Sequence, residues 1–174
     1  VAARVAFGYC AVFWVVPLCG GLLVLATYAI GRRIERPVVG LAAAWLVATS
    51  PAMLFMLVAP MSDVPAAAAW TIAIACALGG TLGGAAAAGA AAAVAILIRP
   101  NLIVLAAIVA VWLVLRGATK TLAFGAIASI GAIAVGTINA RLYGSALRSG
   151  YDLTDGFAIA YLWPNIQHYG AWLI

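Results

Sequence analysis

Charge is what this sequence has least of. Only 7% of its 174 residues are charged, where a soluble domain carries about 25%. Four residues are acidic: Glu35, Asp63, Asp152 and Asp155. There is one histidine, His168. The three cysteines, Cys10, Cys19 and Cys76, lie inside apolar stretches and form no C-x-x-C or Cys/His set. They read as small core residues. No G-x-S-x-G, Walker A or H-E-x-x-H motif occurs, and no metal-ligand cluster asks for an ion. These absences leave no sign of the common soluble hydrolase, nucleotide-binding or metalloprotease sites. No cofactor is expected.

What is abundant is apolar surface. Hydrophobic residues make up 68% of the chain, and the mean hydropathy is +1.20. Too little polar surface exists to cover a water-facing globule, so the composition implies an integral membrane protein. The net charge of +5 would suggest nucleic acid in a soluble protein. Here the basic residues sit mainly at segment ends, where membrane orientation explains them, and no nucleic-acid partner is expected.

A spanning helix needs about 20 mostly apolar residues. Six segments meet or approach that: 5–30, 38–59, 62–78, 85–98, 102–115 and 121–143. The expected fold is all-α, a polytopic transmembrane bundle of about six helices spanning 1–143. Residues 144–174 read as an extracytoplasmic polar and aromatic loop followed by the start of another helix. Gly79/Gly83 and Gly80/Gly84 have the G-x-x-x-G spacing of close helix pairs. A plain glycine-rich turn is the simpler reading. The chain opens at Val1 without Met and closes on Ala171-Trp172-Leu173-Ile174, so it reads as an internal fragment.

Parity places loops 31–37 and 116–120 on one side. They hold Arg32, Arg33, Arg36, Arg116 and Lys120, which marks that side as cytoplasmic. The bias is modest, five basic residues against Arg4, Arg99, Arg141 and Arg148. The acids sort better: Asp63, Asp152 and Asp155 fall together on the outer face.

Asp63 stands alone between Glu35 and Asp152, in the turn from Pro60 to Pro65. It either caps a helix or faces a site; Ser62 and Pro65 suit the cap. Arg99 is either an anchor at the interface or a phosphate contact, since its guanidinium fork matches phosphate oxygens. Asn101 follows Pro100 where the next helix restarts, and a helix N-terminus there favours an anion. Arg148, Tyr151 and Asp152 form a further polar group. Half of the Trp and Tyr residues lie from Tyr143 to Trp172, as an aromatic belt or a platform for a sugar face or prenyl chain. His168 reads as a hydrogen-bonded interfacial residue.

Taken in order, "GRRIERPVVGLAAAWLVATSPAMLFM", "APMSDVPAAAAWT", "AILIRPNLIVL", "INARLYGSALRSGYDLTDGF" and "NIQHYGAWL" resemble bacterial membrane glycosyltransferases of the dolichyl-phosphate-mannose–protein mannosyltransferase type. That group has the GT-C fold and includes lipid A aminoarabinose transferases. The resemblance implies a multi-pass enzyme of the plasma (inner) membrane. Such an enzyme moves a sugar from a polyprenyl-phosphate donor to a lipid, glycan or protein acceptor on the extracytoplasmic side. By position, Asp63 resembles the acid after the family's third helix and Arg99 the arginine closing its fifth. Arg148 and Tyr151 match a Y-G-x-x-x-R-S-G-Y stretch. All are expected to bind or support. The family's principal catalytic acid lies in an earlier loop, expected upstream of Val1, so no catalytic residue is assigned here. The alternatives are a polytopic transporter, for which broken helices at Pro17 and Pro51 would speak, and a non-catalytic membrane subunit.

Overall fold

The computed structural model describes residues 5, 8, 11–59, 61–148 and 159–170. Among the described residues every regular element is helical. α1 is Ala11–Ile34, α2 Pro37–Thr49, α3 Pro51–Val58, α4 Asp63–Leu78, α5 Leu82–Ile98, α6 Ile103–Val114, α7 Ala118–Tyr143 and α8 Leu162–Gly170. Short 3-10 turns cover Pro100–Leu102 and Ile159–Tyr161.

Prolines set most of the breaks. A residue before proline is pushed out of the helical region by the pyrrolidine ring, and proline itself suits the first helical position. Arg36, Ser50 and Arg99 are accordingly extended, with ψ of 158°, 126° and 96°. Pro37 and Pro51 open α2 and α3. The expected single segment 38–59 is therefore two helices, bent by 55° at Ser50. Other boundaries also differ from expectation. α1 runs on through Arg32 and Arg33, since arginine is a good helix former and a cation suits a helix C-terminus. α5 starts at Leu82 because the Thr81 hydroxyl accepts from the Gly84 N–H at 2.9 Å, a side-chain cap.

α1 and α7 are long and apolar enough to cross a membrane, and the bent α2–α3 pair adds a third span if taken as one. Asp63–Leu78, Leu82–Ile98 and Pro100–Val114 are apolar but shorter. In each long span an apolar 18-residue stretch buries only 17% of its residues within the chain. Phe13, Trp14, Leu18, Leu25 and Ile133 stay more than half exposed, as lipid-facing side chains do. Hydroxyls inside the apolar helices bend back onto their own backbone: Thr27, Thr49 and Thr71 donate to the carbonyls of Leu23, Trp45 and Ala67, each at 2.8 Å. That removes the polar group from an apolar surrounding.

The chain divides into two compact units, Val1–Val135 and Gly136–Ile174. The core of the first is built from alanine. Ala69, Ala73 and Ala77 of α4 meet Ala88, Ala92 and Ala95 of α5, sealed by Ile96, Leu113 and Phe124. Small side chains let the backbones approach closely, which is how helices associate where no water drives them together. Three glycines of α5 and α7 mark close approaches to backbone. A Cβ on Gly131 would stand 2.5 Å from the Ala93 carbonyl oxygen, one on Gly89 2.6 Å from that of Phe124, and one on Gly84 2.7 Å from that of Cys76. The glycine run acts mainly as the simpler reading has it, as a turn, and a Cβ on Gly83 would meet nothing within 4 Å. Gly79 and Gly80 make the turn, with φ of +68° at Gly80, and Gly84 holds the α4–α5 contact.

The second unit contains the end of α7, a turn and α8. The Asn139 amide donates to the Ala146 carbonyl at 3.4 Å and helps fold the chain back past Gly144. α8 lies where sequence reads loop. Leu162, Ile166 and Tyr169 recur at helical spacing, and Pro164 falls in the first turn, where no backbone donor is lost.

Candidate functional site

α4 and α5 are an antiparallel hairpin, so the start of one lies beside the end of the other. Asp63 is the first residue of α4 and Arg99 the residue just past α5. Pro100 denies Arg99 a helical conformation, and its side chain reaches across the hairpin mouth. Arg99 Nη2 lies 2.6 Å from Asp63 Oδ1, and Nε donates to Ser62 Oγ at 3.2 Å. Ser62 is the N-cap by backbone position, but its hydroxyl accepts from Arg99 and caps nothing. The two charged side chains keep 41% and 37% of their surface exposed. The pair is thus open to a ligand on one side and packed on the other.

The packed side borders a shallow, open groove of about 260 Å³, lined by Leu23 of α1, Ala52, Met53 and Met56 of α3, and Asp63, Val64 and Ala67 of α4. Its walls are apolar apart from Asp63. The break at Ser50 makes this groove, because the bend sets α3 across α1 and α4. Leu57 and Met53 pack so closely on α1 that a Cβ on Gly20 would meet the Leu57 side chain. Sequence reasoning missed Met53, Met56 and Leu23 as site-lining residues. The signal was present in Pro51, read only as a possible interruption.

The expected site residues distribute unevenly. Asp63 and Arg99 are joined. Asn101 lies exposed in the Pro100–Leu102 turn and, among the described residues, hydrogen-bonds to neither. Arg148 is exposed, in the turn after α7, with its backbone N–H on the Ser145 carbonyl at 3.3 Å. Tyr151 and Asp152 lie outside the described residues, as do Pro60 and Asp155. Among the described residues no three His, Cys, Asp or Glu side chains gather as a metal set.

Chemically, the site offers a guanidinium already oriented by a carboxylate and a hydroxyl, at the mouth of an apolar groove. The carboxylate holds the fork in place, and the remaining N–H groups are available to an anion. Comparisons with protein-family models, with curated proteins and with solved structures each find no match.

Proposed function

We propose that this chain is part of a GT-C-type, mannosyltransferase-like membrane glycosyltransferase. Its donor is a sugar on a polyprenyl phosphate, and its acceptor a lipid, glycan or protein hydroxyl. The observation that carries the reading is the joining of an apolar groove to the Asp63–Arg99 pair. A polyprenyl phosphate has this form, an apolar chain ending in an anion. Arg99 would hold the phosphate, with the contact strengthening as charge grows on the leaving group. Val64, Met53 and Met56 would receive the first part of the prenyl chain. Asp63 orients Arg99 and supports a catalytic acid supplied from elsewhere in the enzyme.

In this proposal α4, α5 and α6 also cross the bilayer, completing about six spans in a plasma (inner) membrane protein. Asp63 and Arg99 then face the extracytoplasmic side. Support comes from the first unit: Arg33 and Arg116, from the two basic loops, both approach the opposite end of the α4–α5 hairpin. That is the arrangement parity requires. The test is transfer from a polyprenyl-phosphate sugar by the full-length protein. Arg99→Ala and Asp63→Asn should each lower it strongly at normal expression, and unchanged activity in both sinks the assignment.

A second reading has its own observation. The 55° break between α2 and α3 lies beside the groove, and transporters place substrate at broken spans. Substrate flux in proteoliposomes without sugar transfer would favour it.

A further inference from the structure

The other end of the α4–α5 hairpin, away from Asp63, collects positive charge. Arg33, in the last turn of α1, donates from Nη1 to the Ala75 carbonyl of α4. Its guanidinium carbon lies 3.9 Å from where a Cβ on Gly79 would stand. Arg116, just past α6, brings Nη1 within 4.0 Å of the same point at Gly80 and lies over the Trp112 ring, 4.4 Å from its centroid. Two guanidinium groups from different helices thus close on consecutive residues of one turn.

Neither has a carboxylate partner among the described residues. The acid nearest in sequence, Glu35, contacts Arg36 at 4.0 Å. Like charges gathered this way repel unless an anion joins them. Gly79 and Gly80 put no side chain of their own between the two arginines and the turn. The flanking side chains are aliphatic and exposed: Ile34 at 66%, Leu82 at 55% and Leu115 at 87%. A free anion gains nothing from such neighbours. An anion carried on an acyl chain does.

We propose that the α4–α5 turn binds the headgroup phosphate of an anionic phospholipid, with Arg33 and Arg116 as its ligands. The site lies at the hairpin end opposite Asp63 and stands whether or not the protein transfers sugar.

The test is thermal unfolding of the purified full-length protein in neutral detergent, titrated with phosphatidylglycerol, phosphatidylcholine or inorganic phosphate. Phosphatidylglycerol should raise the melting temperature at far lower concentration than the other two. Arg116→Gln should weaken that response about fivefold, and Arg33→Gln with Arg116→Gln about 25-fold, on the scale of one basic side chain at an anionic surface. Arg36→Gln, outside the turn, should change it less than twofold. Arg33→Gln also frees the Ala75 carbonyl. Arg116→Gln leaves that bond intact and carries the test alone if the double variant fails to fold. An unchanged response in Arg116→Gln, an equal loss in Arg36→Gln, or inorganic phosphate matching phosphatidylglycerol would each overturn the proposal.

Discussion

The two ends of the α4–α5 hairpin use arginine in opposite ways. At the Asp63 end, Arg99 meets a carboxylate and a hydroxyl, and its charge is largely answered within the chain. At the Gly79–Gly80 end, Arg33 and Arg116 meet a backbone carbonyl and an indole ring, with no carboxylate among the described residues. The difference is one of neighbours, since the same alanine-packed helix pair supports both ends. A paired guanidinium is held in one orientation and can present its remaining donors to one ligand. An unpaired pair attracts any anion with enough surface to reach both.

The largest effect should come from breaking the hairpin that defines both ends. Gly84→Val places a side chain where a Cβ already stands 2.7 Å from the Cys76 carbonyl oxygen. Backbone cannot yield as a side-chain tip does, so a loss of about 3 kcal/mol is expected. It should appear as early melting and aggregation on size exclusion in detergent, at both ends alike. Next, Arg99→Ala should cost about 2–3 kcal/mol in transition-state binding, roughly a hundredfold in transfer. It should leave phosphatidylglycerol stabilisation untouched. Loss of both functions together would mean that the two ends are not separate.

A smaller effect is expected for the ion pair itself. A double-mutant cycle with Asp63→Asn and Arg99→Gln, followed by thermal unfolding in detergent, should give a coupling of about 0.5–1 kcal/mol that shrinks with salt, because the pair is more than a third exposed. A coupling of several kcal/mol would make the pair a structural clasp more than a ligand site. The smallest effect belongs to Trp70. Its side chain is 5% exposed, and Nε1 is buried with no hydrogen-bond partner among the described residues. Trp70→Phe removes the unsatisfied donor along with some volume. The two changes oppose each other, so the melting temperature should move by only a degree or two in either direction.

Much of the helix layout was legible along the chain. Pro37, Pro51 and Pro100 act on their immediate neighbours, and Gly79–Gly80 marks its own turn. Residues 38–59 hold one span's worth of apolar side chains, and apolar length says nothing of the 55° bend at Pro51 or of the groove beside it. α8 was missed because nine residues carry too few turns for an apolar stripe to stand out from a polar loop. The ion pair was not legible as a pair. In sequence, Asp63 fits a cap and Arg99 an anchor, or each a contact to substrate, and neither pattern names a partner.

Taken by itself, the sequence determined the solvent and the breaks. A chain with 7% charged residues cannot cover itself in water, and each proline or glycine limits the backbone within a residue or two of its own position. The contacts that matter for a site were decided only in three dimensions. Arg99 finds Ser62 across 37 residues and Arg33 finds Ala75 across 42. Such pairs depend on helix length, on the 55° bend and on how closely alanine and glycine let backbones approach. Those quantities are set by the packing of whole helices against one another.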